Sequence, residues 1–190
     1  MIATRTEAEE ALFRAGLVED DSDPVLRRGH FVFGAGDHAD ARLDLGGLLA
    51  EERRLHSAAE ALAQKLRAHA IDVVCSPAER GSRVALAVAA VLDRPFVAPD
   101  AWTILAGARA AVVADGIHTG AAALGAVREL RSLGATVAAL GVVVARAPAV
   151  LPVGAFDGVP VERLASVDWS LWPAASCPLC AAGVPLSDPR

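Results

Sequence analysis

The chain has 190 residues, 54% of them hydrophobic by a count that includes many alanines, and a formal net charge of -5. This length suits one domain of ordinary size with a single substantial core. The sequence pI is about 5.5, so the composition argues against nucleic acid and against an anionic membrane as partners. No stretch approaches the roughly 18 apolar residues that suggest a membrane-spanning helix.

The N-terminal segment and the cysteines both indicate a cytoplasmic protein. The first sixteen residues, MIATRTEAEEALFRAG, carry acidic side chains where a signal peptide needs its apolar segment. The three cysteines, Cys75, Cys177 and Cys180, form no disulfide framework, as is usual in a reducing compartment.

The first third of the chain predicts a packing helix, a hairpin and a longer helix. Residues Thr6–Leu17 have the pattern of a short helix. Two strand-like pieces, His30–Phe33 and Arg42–Leu45, then flank a turn rich in glycine and aspartate. Apolar residues at helical spacing predict a long helix over roughly Leu48–His69.

From residue 71 onward, strands alternate with helices. Strands are predicted at Ile71–Cys75, Arg94–Ala98, Ala110–Ala114 and Thr136–Ala145, and helices at Ser82–Leu92 and Ala121–Leu133. Continuous apolar strands in this alternation indicate a parallel sheet covered on both faces. The loops Pro77–Gly81 and Asp115–Gly120 should then meet across one crevice at the carboxyl edge of the sheet, where open α/β sheets bind ligands. Beyond Val159 the periodicity is poorer, and Trp169 and Trp172 are expected to pack against the sheet edge.

The segment from Ala110 to Ala135 carries the most informative pattern. A strand ends, Asp115 follows, and a turn of small residues opens a helix whose first amides favour a bound anion, typically phosphate. Thr119 can add a hydroxyl donor, and Gly120 allows close backbone approach. Asp115 can bind the hydroxyls of an attached sugar. An ordinary turn in which Asp115 caps the helix explains the spacing equally well.

This segment resembles the phosphoribosyl-pyrophosphate motif of the type I phosphoribosyltransferases, in which an apolar strand leads into two acidic residues, two apolar residues and Thr-Thr-Gly. The matching positions are Val112, Val113, Asp115, Ile117, Thr119 and Gly120. Three further regions resemble the orotate phosphoribosyltransferases: residues 29–45 with their Gly-His-Phe run, residues 71–97, and the Cys-Pro-Leu-Cys ending at Cys180. The resemblance covers most of the chain from about Gly29.

The resemblance implies a type I phosphoribosyltransferase fold, an α/β fold with a mainly parallel sheet flanked by helices. It implies one domain, residues 1–190, in which about 1–46 and 159–190 form a hood and peripheral elements. It also implies transfer of a phosphoribosyl group from phosphoribosyl pyrophosphate to orotate or another small base. Mg²⁺ would arrive on the substrate, and the protein would be a homodimer.

The same resemblance assigns roles to individual residues. Asp115 is the candidate catalytic residue and would hold the ribose. The phosphate site would comprise Asp115, Gly116, Ile117, His118, Thr119, Gly120 and Ala121. Arg80 would contact pyrophosphate, but a solvated loop charge is an equal alternative. Arg146 would bind the base, against the alternative of a surface arginine after a strand. For His118, an exposed turn histidine is the favoured interpretation over a phosphate donor.

Two departures from the family pattern bear on turnover. Ala114 occupies the first acidic position, and the connection Pro99–Arg109 contains no lysine or histidine where the family has a long loop that carries both. Losing one comparable transition-state donor costs about 100- to 1,000-fold in rate. Two alternatives to the enzyme therefore stay open: a degenerate paralogue that binds phosphoribosyl pyrophosphate or a nucleotide without turnover, and a dimerising scaffold without a ligand.

The pair Cys177 and Cys180 has the spacing of half a zinc site. Structural zinc needs four ligands, and the sequence offers no second cysteine pair. Four histidines also lack ligand spacing: His30, His38, His56 and His69. The sequence therefore predicts a structural turn at the cysteines and no metal site.

Overall fold

The computed structural model describes residues 7–14, 26–33, 36–78, 82–146 and 154–187. The helices in these ranges are α1 Glu7–Arg14, α2 Leu45–Leu48, α3 Glu52–Leu66, α4 Ser82–Leu92, α5 Ala121–Ser132 and α6 Pro178–Ala181, with 3-10 turns at Pro99–Ile104 and Ala174–Ser176. The strands are β1 Leu26–Val32, β2 His38–Leu43, β3 Val73–Cys75, β4 Phe96–Val97, β5 Arg109–Ile117, β6 Thr136–Arg146, β7 Val161–Val167 and β8 Leu171–Trp172. None of these helices has the length and apolarity needed to span a lipid bilayer.

Five strands form the main sheet in the order β4-β3-β5-β6-β7, and every neighbouring pair is parallel. Alternate side chains of β5 enter the two cores, because successive residues of a strand point to opposite faces. Val113 packs with Leu62 of α3 on one face, and Val112 packs with Leu130 of α5 on the other. The sheet is therefore covered on both sides, and the predicted α/β class is confirmed.

Helix α3 lies unusually close to β6 at Gly141. A Cβ atom at this position would be 3.0 Å from Leu66 Cδ1, 3.3 Å from Val113 Cγ2 and 3.4 Å from Leu62 Cδ2. Glycine is thus the residue that lets the α3 leucines press against the middle of the sheet.

A second, three-stranded sheet has the order β1-β2-β8, and we call it the hood sheet. Its strands are antiparallel, and β8 joins β2 through the pairs of His38 with Trp172 and Ala39 with Leu171. The C-terminal segment also lies along β1, since the Ser187 amide donates to the His30 carbonyl at 2.7 Å and the His30 amide donates to Ser187 Oγ at 3.0 Å. Strands near the beginning of the chain and a segment near its end therefore build the hood together.

Strand β5 runs three residues past its predicted end at Ala114. Gly116 and Ile117 pair with Val144 and Ala145 of β6, so the strand continues through Asp115 into the predicted loop. The predicted long helix over roughly Leu48–His69 is α3, Glu52–Leu66, which is shorter at both ends, and the separate short helix α2 precedes it.

The tail after Val159 contributes to both sheets. Strand β7 pairs with β6 at the edge of the main sheet, while β8 belongs to the hood sheet. Only Ala165 and Val167 of β7 are buried, which is why its sequence shows little periodicity. Both tryptophans were expected at the sheet edge. Trp169 is buried in the same core cluster as Val167 of the edge strand β7, whereas Trp172 lies in β8 of the hood sheet.

The short connection between β4 and β5 is anchored in the core. It forms a 3-10 turn at Pro99–Ile104, and Trp102 is 2% exposed among Val73, Leu105 and Val112. The connection is therefore a packed element at the point where the family resemblance implies a long loop.

Replacing Trp102 with alanine should lower the free energy of unfolding by about 3–5 kcal/mol, because the substitution leaves a large cavity in a packed core. Leu86→Ala on α4 is the matched control: Leu86 is 56% exposed, and surface truncations usually change stability by less than about 0.5 kcal/mol. Urea unfolding followed by circular dichroism measures both. Equal effects of the two substitutions would contradict the anchoring role of Trp102.

Candidate functional site

A cleft of about 470 Å³ opens between the carboxyl edge of the main sheet and the hood. Its walls come from the end of β2 and the start of α2, the loop after β3, the end of β5, and the first turn of α5. The lining residues are Arg42, Leu43, Asp44, Leu45, Gly46, Pro77, Ala78, Ala114, Asp115, Gly116, His118 and Ala122. The loops after β3 and β5 thus meet across one crevice, as the strand pattern predicts.

Asp115 is the carboxylate at the end of β5 in this cleft. Its Oδ1 accepts a hydrogen bond from the Gly116 amide at 2.8 Å, which fixes the orientation of the carboxylate. Ala114 lines the cleft beside it and contributes no polar group. A second carboxylate, Asp44, approaches from the hood side, where Arg27 Nη2 lies 3.3 Å from its Oδ2.

The turn after β5 forms the start of α5. Gly120 has a φ of 81°, in the left-handed region that favours glycine. Thr119 and Ala121 are exposed, and Thr119 Oγ1 accepts a long hydrogen bond of 3.4 Å from the Ala121 amide. The first amides of a twelve-residue helix have no partner within the helix. With the helix dipole they suit an anion. Ile117 is buried and anchors the turn.

His118 is packed between two aromatic rings, so the interpretation as an exposed turn histidine is wrong. Its ring centroid lies 5.8 Å from that of Phe33 and 5.6 Å from that of Trp169 in an edge arrangement. The residue is half-buried and lines the cleft. The turn after β5 is thereby held against both the hood and the tail.

Arg146 lies at the end of β6, beside the cleft and outside its lining residues. Its Nε donates to the His118 carbonyl at 3.1 Å, and its guanidinium carbon lies 5.8 Å from the centre of the Trp169 ring. The arginine is half-buried. Its observed contacts hold the His118 turn in place.

The loop after β3 is shaped by two hydroxyl groups. Ser76 Oγ and Ser82 Oγ both donate to the Ala78 carbonyl, at 2.6 and 3.0 Å. Arg80, assigned to pyrophosphate by resemblance, lies outside the described residues.

Arg42 is the cleft residue that sequence reasoning missed. It is half-buried on β2, lines the cleft, and forms no ion pair with any residue in the described ranges. Ala39, Ala41 and Leu43 of the same strand are buried. This alternation of small or apolar residues with polar ones was the available signal, and it places Arg42 on the face opposite the core.

Two other features are excluded as sites. Cys75 is fully buried in β3, and burial raises the pKa of its thiol to about 12, so it stays protonated at neutral pH and is no nucleophile. A second cavity of about 370 Å³ lies near the amino edge of the sheet. Its arginines are occupied by backbone carbonyls: Arg67 Nη2 donates to Val91 O at 3.1 Å, and Arg94 Nε donates to Ile71 O at 2.9 Å.

Comparisons of sequence and of structure both find similarity to orotate phosphoribosyltransferases. No family model matches the chain. The orotate phosphoribosyltransferase of Caldanaerobacter subterraneus subsp. tengcongensis is 30% identical over 176 residues, 87% of this chain and 90% of that protein. That of Thermotoga petrophila is 27% identical over 176 residues, 87% and 91% of the two chains. The crystal structure of orotate phosphoribosyltransferase from Aeropyrum pernix matches with a TM-score of 0.61 and 25% identity, covering 83% of this chain and 92% of that one.

His118→Ala should lower the free energy of unfolding by about 1 kcal/mol or more, because each aromatic pair is worth roughly 0.5–1.5 kcal/mol beyond its buried area. His56→Ala is the control, since His56 is exposed on α3 and its loss should change stability by less than about 0.5 kcal/mol. Thermal and urea unfolding measure both variants. A His118→Ala protein as stable as wild type would refute the packing of this ring.

Proposed function

This chain belongs to the orotate phosphoribosyltransferase family, and we propose that it binds phosphoribosyl pyrophosphate in the cleft and transfers the phosphoribosyl group to orotate. The observation that carries the proposal is that Asp115, near the end of β5, and Ala122, in the first turn of α5, line one cleft at the carboxyl edge of the sheet. A sugar phosphate needs this combination of a hydroxyl acceptor and amide donors a few residues apart.

The phosphate occupies the turn after β5, and the ribose lies beside it near the end of β5. The 5′-phosphate lies at Thr119, Gly120 and Ala121, where hydroxyl and amide groups donate to its oxygens. The ribose hydroxyls donate to the Asp115 carboxylate, whose orientation is set by the Gly116 amide. Gly116 itself has little room for a side chain, because a Cβ atom there would lie 3.2 Å from Leu45 Cδ1.

Pyrophosphate and the base lie on opposite sides of the ribose. Mg²⁺ enters with phosphoribosyl pyrophosphate as part of the substrate and neutralises the diphosphate charge. Arg42, from the hood side of the cleft, and Arg80 supply protein cations for the leaving group. Arg146 binds the carboxylate of orotate with its terminal guanidinium nitrogens, whose forked geometry suits a carboxylate. Its Nε continues to donate a hydrogen bond to the His118 carbonyl.

The reaction is expected to be slow. In the transition state positive charge develops on the ribosyl carbon and negative charge on pyrophosphate, so fixed cations at the leaving group are a main source of rate. The connection 99–109 contributes no cation other than Arg109. The Arg109 side chain is occupied at the amino end of β5, where its Nε donates to the Ala70 carbonyl at 2.7 Å.

A second candidate function is binding of phosphoribosyl pyrophosphate or a nucleotide without turnover. The buried Trp102 favours it, because this side chain ties the connection to the core. Ala114 favours it too, because one of the family's two ribose-binding carboxylates is replaced by a methyl group. The cleft would then report the presence of its ligand through a change in stability or assembly.

The homodimer and the cytoplasmic location stay predictions. A second subunit can supply cations that the connection 99–109 lacks, so the oligomeric state bears on the rate. Size-exclusion chromatography with light scattering distinguishes a dimer of this 19.5 kDa chain from a monomer.

Phosphoribosyl pyrophosphate with Mg²⁺ should raise the thermal stability of the protein. At a concentration 100 times the dissociation constant the gain is about 2.7 kcal/mol, or a rise in melting temperature of roughly 5–10 °C for a chain of this size. Asp115→Asn should lose most of this shift. Asp93→Asn is the matched control, because Asp93 is exposed at the end of α4 and its φ of 54° also suits asparagine.

The comparison of the two variants tests the placement of the ribose. An unchanged shift in Asp115→Asn would show that the sugar binds elsewhere. No shift in the wild-type protein would remove both ligand-binding functions and leave a scaffold.

Turnover separates the two candidates. Purified protein, Mg²⁺, phosphoribosyl pyrophosphate and orotate are mixed, and the loss of orotate absorbance is followed. Slow consumption that Asp115→Asn abolishes and Asp93→Asn retains is the expected result. A ligand shift without consumption at high protein concentration would reject orotate transfer and support the binding protein.

A further inference from the structure

Two histidines and two cysteines from distant parts of the chain converge beside the hood sheet. His30 is in β1, and His38 is the first residue of β2. Cys177 directly precedes α6, and Cys180 is inside it. One ligand atom from each lies within 4.8 Å of all the others. We propose that these four residues bind a zinc ion, which fastens the C-terminal segment to the hood. The proposal is independent of the function assigned to the cleft.

The distances between the donor atoms agree with a tetrahedral site. Zinc bonds of about 2.0–2.1 Å to nitrogen and 2.3 Å to sulfur place a nitrogen and a sulfur ligand about 3.6 Å apart, and two nitrogens about 3.3 Å apart. The His30 Nε2 atom lies 3.5 Å from Cys177 Sγ and 3.7 Å from Cys180 Sγ. His38 Nδ1 lies 3.2 Å from Cys180 Sγ and 2.8 Å from His30 Nε2. Small side-chain rotations therefore bring all four donors onto one ion.

The hydrogen bond of His30 Nδ1 sets the tautomer of the ring so that Nε2 is free to bind a metal. His30 Nδ1 lies 2.8 Å from the Val184 carbonyl, which can only accept a hydrogen bond. The proton is therefore on Nδ1, and the lone pair of Nε2 points into the cluster. A ligating histidine commonly donates its other N–H group to a backbone carbonyl or a carboxylate, which sets its tautomer and ring orientation.

Local structure brings each pair of ligands together. The register of β1 against β2 is irregular between Arg28 and Phe31, which brackets His30, and such irregularities re-aim side chains. The hairpin then places His38 opposite Val32. Cys177 and Cys180 are three residues apart across the start of α6, so they share one face of the helix.

The donor set and its burial identify the metal and its role. Two imidazoles and two thiols in a tetrahedral arrangement suit zinc, and none of the four is a carboxylate. Four protein ligands leave no open position for a substrate, which is typical of structural sites. His30 and Cys177 are 1% and 2% exposed, whereas Cys180 is exposed, so the ion is enclosed on the protein side and enters past Cys180.

Metal content of the untagged wild-type protein, purified without chelators, is the first test. Inductively coupled plasma mass spectrometry should find one zinc ion per chain. The variants Cys180→Ser and His38→Ala should lose it. Cys75→Ala and His56→Ala should keep it, because Cys75 lies in β3 and His56 on α3, away from the cluster. Zinc retained in both ligand variants would overturn the site.

A second measurement on the wild-type chain remains decisive even where a variant fails to fold. After zinc is removed with a chelator, Co²⁺ should restore one equivalent of bound metal with the absorption bands of tetrahedral cobalt and of thiolate-to-cobalt charge transfer. The exposed Cys180 should react with iodoacetamide in the metal-free protein and resist it after zinc is restored, and chelation should lower the melting temperature. Absence of zinc together with absence of the cobalt bands, or a disulfide between Cys177 and Cys180 in freshly purified protein, would overturn the proposal.

Discussion

Strands β5 and β6 are paired side by side from Arg109 to Ile117, in the middle of a sheet that is parallel throughout. Parallel pairing brings the ends of neighbouring strands to the same edge, so Asp115 emerges next to the loop after β3 and the start of α5. Because β5 stays paired through Ile117, the backbone that carries Asp115 is held by the sheet. The cleft has a rigid floor for this reason, and only its hood-side wall comes from a separate sheet.

The floor and the hood are joined by aromatic packing more than by charge. His118 contacts Phe33 after β1 and Trp169 before β8, and Arg146 holds the same turn through the His118 carbonyl. The turn after β5 is thus held in place by three parts of the chain. Elsewhere in the sheet, Trp102 ties the connection between β4 and β5 into the core.

Elements with strong local signals were predicted closely. Helix α5 was expected over Ala121–Leu133 and ends one residue earlier, with Gly134 at a φ of 86° where a helix commonly stops. Strand β6 was expected one residue shorter than it is.

Features set by pairing between distant segments were not predicted. Strand β7 and the extension of β5 depend on β6, and Arg42 reaches the cleft only because the hood folds over the sheet. The four-residue cluster was missed for the same reason: nothing in the spacing of His30 and His38 indicates that Cys177 and Cys180 lie close to them in space.

The hood hairpin has its own consequence for biosynthesis. Strand β2 leaves the ribosome early. Strand β8, the third strand of the hood sheet, is made only near the end of translation, and its Trp172 then pairs with His38 of β2. Until then one edge of β2 is open, and unpaired strand edges promote association between chains. The main sheet lacks β7 for much of the same interval. Nascent chains stalled before residue 160 should therefore need protection by chaperones, and the polar residues of β2, such as His38, Asp40 and Arg42, keep its exposed edge soluble while it waits.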